Sequence, residues 1–176
     1  MLNKILSFIQ TKNGDFMYFF NYFFVMSIVG HFIESFFYSN KDSGILMGYW
    51  TPIYGIGTII ILLINKYIDK FKINKVFKII FLFVLSSITL AIIEAIGGYL
   101  IKWIFNLELW DYSNHKFNIG KYTSIEMSLI WGLSSIILIY FIKPLLDKII
   151  KKIPKIITYI LIVLFIFDLM ITLIIK

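Results

Sequence analysis

Three carboxylates stand where an apolar sequence leaves little room for charge: Glu34, Glu94 and Asp168 each interrupt a long hydrophobic run. A charged side chain in hydrocarbon costs on the order of 3 kcal/mol by insertion scales, so such residues face a bundle interior or a hydrated cavity. There they bind a cation or cationic group, exchange protons, or act as a general acid or base. Their neighbours fit burial against protein. Ser27, Gly30, His31 and Glu34 share one helical face, and Ser87, Ala91, Glu94 and Gly98 share another. Ser124, Ser128, Trp131, Gly132 and Ser135 form a third small, polar stripe. In lipid, stripes of this kind mark helix contacts or a wet pocket. The plainer alternative is that the acids only fix helix register. Asp168, with Thr172 alone on its face, is the lesser candidate.

Other chemistries lack their residues. His31 lies one turn from Glu34, but one histidine among scattered acids is not a metal signature, so neither metal nor cofactor is expected. The chain has no cysteine, which removes thiolate ligands, disulfides and cysteine nucleophiles. It has no Gly-rich lysine loop for ATP, no nucleophile elbow and no zinc-protease helix motif. Glu126 has an ordinary use, since Thr123 and Glu126 have capping-box spacing.

The elements that must hold these groups are helices. Of 176 residues, 60% are hydrophobic and 15% charged, against about 25% charged in a soluble domain. Runs near the roughly 20 apolar residues needed to cross a bilayer recur. The expectation is an all-α, polytopic membrane bundle with spans at about 15–38, 52–68, 77–104, 124–143 and 154–175. Residues 1–14 read as a short amphipathic helix on the membrane surface, with Leu2, Ile5, Leu6 and Ile9 on one face. A frayed start to the first span is the alternative. In the second span Thr51 suits a cap and Pro52 the first helical position, while Gly55 and Gly57 admit a close neighbour.

Every basic residue is lysine, 17 in all, and the formal charge is +7. Lysines beside spans contact headgroups and set orientation, so nucleic acid is not an expected partner. The 65–78 and 143–155 connections each carry five lysines, which places both in the cytoplasm together with the N-terminus. Twelve lysines then lie inside and five outside. The C-terminus and both aromatic loops face outward, in a bacterial cell membrane.

Two segments rhyme. SIVGHFIE (27–34) and SITLAIIE (87–94) each end in a membrane glutamate, and each precedes an aromatic loop and a helix starting Thr-x-Ile, at Thr51 and Thr123. This predicts two parallel helix-pair repeats plus a fifth helix, with Glu34 and Glu94 related by an axis along the membrane normal.

TPIYGIG (51–57), IEAIGGYLIKWIFNLELWDYS (93–113) and FNIGKYTSIEMSLIWG (117–132), taken in order, resemble the ABC-transporter type IV family of CmpB-like bacterial permeases. The likeness runs from about Gly30 to Pro144. The family pattern has an acid in the first span, a P-I-Y-G-x-G turn and a second acid ahead of the W-D-Y-S run; here these are Glu34, Pro52–Gly57 and Glu94. One departure is Lys121, after Gly120, where the family often has arginine; lysine gives up bidentate geometry. The resemblance implies a permease that depends on a separate ATPase subunit and on homo-oligomerisation.

The leading expectation is a transport-associated protein with a carboxylate-lined cavity open to the outside. Glu34 and Glu94 bind its cargo, His31 and Trp131 flank them, and Asp111, Tyr112 and Asn118 shape a loop over the mouth. The alternatives are a membrane enzyme acting on a lipid at the outer interface, with Glu34 or Glu94 as acid or base, and an accessory subunit of a membrane complex. Mutually exclusive predictions separate them: loss of flux, loss of lipid turnover, or loss of folding in Glu34→Gln and Glu94→Gln.

Overall fold

The structure is a computed structural model that describes residues 2–38 and 44–176, with side chains described for 16–36 and 44–176. Among the described residues there are five helices: α1 (Leu2–Tyr38), α2 (Pro52–Ile68), α3 (Lys75–Phe105), α4 (Ile125–Ile150) and α5 (Lys155–Ile175). Four of these are long and apolar enough to cross a membrane; α2, with 17 residues, stands at the lower limit of about 17. The chain is an all-helical membrane protein, as its composition requires.

Burial is inverted relative to a protein in water. The most enclosed side chains include Ser27, Ser86, Ser135, Thr158 and Thr172, all without measurable exposure, while Ile, Leu and Phe line the outer faces. Lipid supplies no hydrophobic drive between helices, so small and hydroxylated faces meet and large apolar ones stay outside.

Helix ends follow local chemistry. Asn74 caps α3 by accepting from the Phe77 N–H at 3.0 Å, and Asn106 closes it in the left-handed region at φ 54°. The cap of α4 is Ser124, which accepts from the Met127 N–H at 3.2 Å, and not Thr123 as the Thr123–Glu126 spacing suggests. Thr123 turns its hydroxyl elsewhere, and Glu126 accepts instead from the Phe117 N–H at 3.3 Å.

α1 is helical without a break from Leu2, with its apolar span at Phe16–Phe36, and the face presented by residues 2–15, with Lys4 and Lys12, lies outside the described side chains. One boundary differs from expectation. α4 continues to Ile150, past the expected end at 143. Pro144 has no N–H to give the preceding turn, and the helix absorbs this by widening over Leu138–Ile142, where the Lys143 N–H bonds back to the Leu138 carbonyl. A proline and a lysine at the edge of an apolar run read as a loop, yet the backbone remains helical.

The chain forms two compact units. The first joins Met1–Gly55 to Leu146–Ile175, and the second comprises Ile56–Leu145 with the terminal Lys176. Glu34 and Asp168 belong to the first unit, Glu94 to the second.

Candidate carboxylate sites

In the first unit, Gly55 fits into a notch on α1. A methyl group there would meet the Ser27 hydroxyl, and would lie 2.6 Å from both the Phe23 ring and the Phe23 carbonyl oxygen. The chain before α2 runs close along α1, so that the Thr51 N–H donates to the Ser27 carbonyl at 3.0 Å. The Thr51 hydroxyl, buried, then donates to Glu34 Oε2 at 3.4 Å, and Tyr54 engages the same carboxylate. The Tyr54 ring fills the space left open by Gly30. His31 is buried one turn from Glu34, with its ring edge-on to Tyr49 at 5.3 Å.

Asp168 does not open onto this site as a ligand group. Its oxygens accept from the Met47 N–H (3.0 Å), the Gly48 N–H (2.7 Å), the Trp50 indole (2.6 Å) and the Thr172 hydroxyl (3.2 Å). Four donors leave the carboxylate little capacity for anything further. It pins residues 47–50 to α5 and so positions Thr51, the next residue, over Glu34. Phe165 and Phe24 pack around the Trp50 ring at 5.8 and 6.2 Å and lock the clasp.

The second unit repeats part of this plan. Gly132 of α4 sits in a notch formed by Ser87 and Phe83, seven and eleven residues before Glu94. Ser27 and Phe23 hold the same spacing before Glu34. The Thr123 hydroxyl donates to Glu94 Oε2 at 3.0 Å, as Thr51 does to Glu34. Trp131 lies beside the carboxylate just before its notch glycine, as Tyr54 does before Gly55. Ser27 and Ser87 also share a buried hydroxyl with no partner among the described residues.

The cover differs. α3 continues eleven residues past Glu94, about 16 Å at 1.5 Å per residue, and the 106–124 connection folds back along it. The Tyr122 ring occupies the space beside Gly98 and meets Tyr99 edge-on at 4.9 Å. The Trp110 indole donates to the Tyr122 carbonyl at 3.1 Å, and the Tyr112 hydroxyl reaches Glu94 Oε1 at 3.1 Å. Glu94 is left 3% exposed.

The loop is structured throughout. The Tyr112 N–H donates to the Lys121 carbonyl at 2.8 Å, the Ile119 N–H to the Thr123 carbonyl at 2.9 Å, and Asn118 forms an isolated antiparallel bridge with Ser124. Gly120 turns the chain at φ 78°, a conformation costly for other residues. Asp111 and Asn118 serve this fold rather than Glu94: Asp111 accepts from the Ser113 N–H at 2.8 Å, and Asn118 donates to the Ser113 carbonyl at 3.3 Å. At the surface Glu108 bridges Lys121 (2.8 Å) and Lys102 (3.3 Å), and Lys121 also reaches Asp111 at 3.5 Å. Hydrogen bonds from Lys121 and Lys102 hold the Glu108 carboxyl below its ordinary range. Bonds from Ser113, with Lys121 nearby, do the same for Asp111, and Glu108 raises the Lys121 ammonium.

A further polar cluster escaped the sequence reading. Asp147 Oδ1 accepts from the hydroxyls of Tyr18 (2.7 Å) and Tyr22 (2.8 Å), and Thr158 donates to Asn21 at 2.6 Å. Asp147 was hidden by the expectation of a loop from 143. The signal available was the polar set Tyr18, Asn21 and Tyr22 within an otherwise phenylalanine-rich stretch.

Helices with polar interiors and apolar exteriors, carrying glutamates at paired threonines, define a polytopic helical membrane protein with embedded carboxylate sites. The family model described as "Putative ABC-transporter type IV" matches residues 21–173, nearly the whole chain, and the chain belongs to that family. No curated protein and no solved structure matches it.

Proposed function

We propose that this protein is a permease-like component of a membrane transport system, and that Glu34 and Glu94 are its cargo-handling or proton-handling groups. The observation that carries the reading is the company Glu94 keeps. It is almost wholly enclosed in a membrane helix, its hydrogen-bond donors are the hydroxyls of Thr123 and Tyr112, and no lysine lies within ion-pair distance among the described residues. A carboxylate so placed is neutralised by something that arrives from outside the protein, a cation or a proton. Glu34, with Thr51 and Tyr54, offers a second such group. Membership of an ABC-transporter family supports a transport role and a separate ATPase partner, since the chain has no ATP-binding loop of its own.

In the orientation that the lysines favour, the 65–78 and 143–155 regions face the cytoplasm and both glutamates lie in the outer halves of their spans. A reporter fused after Lys70 is then cytoplasmic, and an external reporter contradicts the orientation. For function, purified protein in vesicles loaded with a pH-sensitive dye is exposed to proton, Na+ and K+ gradients in turn. The expected result is a flux above that of empty vesicles which Glu94→Gln reduces at least tenfold with an unchanged melting temperature. Vesicles no leakier than empty ones, or a variant that fails only by unfolding, contradict the reading.

A further inference from the structure

The second unit carries a feature that the transport reading does not use. Between α3 and α4 runs an open groove of about 520 Å³, within the roughly 300–1,000 Å³ range of ligand pockets. Its floor is made by small side chains, Ala91, Ala95 and Ser128, and its walls by Ile92, Ile96 and Leu129. The isoleucines and leucine are about half exposed, so the slot is open along its side.

Length and lining together restrict the occupant. The α3 lining runs from Ser87 to Tyr99, about 18 Å of helix at 1.5 Å per residue. One leaflet of a bilayer with a hydrocarbon core of about 30 Å measures about 15 Å. A slot of that length, lined almost wholly by hydrocarbon and open to the side, suits a methylene chain lying along it.

Its chemistry is graded as well. The inner stretch offers hydrocarbon with only the edges of serine hydroxyls, which gives a water-soluble ligand nothing to bond. The outer end is marked by Tyr99 and Thr123. Just past it stand Lys102, three residues beyond Tyr99 on the same helix face, and Lys121, two before Thr123. Glu108 draws both ammonium groups together, at 3.3 and 2.8 Å. Asp111 also reaches Lys121 at 3.5 Å, and both lysines stay more than a third exposed, so their remaining N–H donors are open to a phosphate where the apolar slot, one leaflet long, ends. We propose that the α3–α4 groove seats one acyl chain of a membrane phospholipid, with the lipid phosphate at the level of Lys102 and Lys121.

The test uses the full chain in vesicles containing phosphatidylglycerol with a diazirine in its palmitoyl chain. After irradiation, labelled peptides are mapped by mass spectrometry. The expected label falls on residues 88–99 and 119–129 at least fivefold above the exposed face of α5 around Val163 and Phe167. Ala95→Phe, which fills the floor, reduces groove labelling at least fivefold, whereas Leu133→Phe, on an exposed α4 position outside the groove, leaves it unchanged. The wild-type map stands without the variants should Ala95→Phe not fold. Lys102→Gln combined with Lys121→Gln lowers labelling by phosphatidylglycerol about threefold and spares labelling by a diazirine diacylglycerol. Even labelling of α3, α4 and α5 would reduce the groove to ordinary lipid contact and overturn the proposal. Cross-links from this face to a second copy would overturn it too. Equal sensitivity of both probes to the lysine variants would remove the phosphate from it.

Discussion

The two units build the same carboxylate site and close it differently. Each sets a helix glycine into a Phe–Ser notch seven to eleven residues before a glutamate, and each sends a threonine hydroxyl to that glutamate. In the first unit the threonine is held from the side: Asp168 on α5 gathers Met47, Gly48 and Trp50, and the Thr51 contact to Glu34 is long at 3.4 Å. In the second it is held from above, where Trp110 grips Tyr122 and Tyr112 adds a second bond to Glu94. Gly55 comes four positions after Thr51, whereas Gly132 comes nine positions after Thr123. The carboxylate and its threonine are the shared part, and the proposed function rests on them; the clasp is the variable part, in which Asp168 holds residues 47–50.

The largest expected effect lies in the notches. An alanine at Gly55 would press on the Phe23 carbonyl oxygen, which cannot yield, whereas at Gly132 it meets only the Phe83 ring at 2.8 Å and a serine hydroxyl. Gly55→Ala should cost about 2–3 kcal/mol and Gly132→Ala nearer 1, in unfolding from detergent micelles. Equal losses would break the contrast in rigidity. Next come the clasps. Asp168→Asn turns an amide toward N–H donors and strands them, at about 1–3 kcal/mol, and Trp50 fluorescence should report a loosened ring. Trp110→Phe removes one bond in the other unit, at about 1 kcal/mol. If the two cost the same, Asp168 is not the hub described.

Tyr112→Phe is smaller still. It removes one hydrogen bond of about 0.5–1.5 kcal/mol and should speed hydrogen exchange at residues 117–125 while leaving residues 44–51 untouched. The smallest effect is a pH dependence of the 106–121 loop in the second unit. Folding lowers the carboxyl pKa values of Glu108 and Asp111. Their contribution is therefore present above the ordinary values near 4 and disappears as pH falls through the lowered ones. Exchange in the 106–121 loop should rise below about pH 4 and lose most of that dependence in Glu108→Gln.

Much of the fold was legible because lipid writes plainly. The expected span 52–68 coincides with α2, and 77–104 and 154–175 fall within two residues of α3 and α5. The ends that carry charge were harder: Lys143, Pro144 and Asp147 look like a loop, while in fact a widened turn carries the helix past the proline. The glutamates were visible as charges in oil, and the Ser-x6-Glu rhyme pointed to matched helices. The partners were less visible. Thr123 resembled a cap until its neighbour Ser124 took that role, and nothing local in "FDLM" announces that Asp168 reaches 120 residues back to Gly48.

The central claim is that both glutamates do the same work. It is tested most directly by comparing Glu34→Gln, Glu94→Gln and the double variant in one vesicle flux assay, with melting temperatures measured alongside. Each single variant should stay folded and lose at least tenfold in flux, and the double should lose no more than either. Full flux in either folded single variant would contradict the claim.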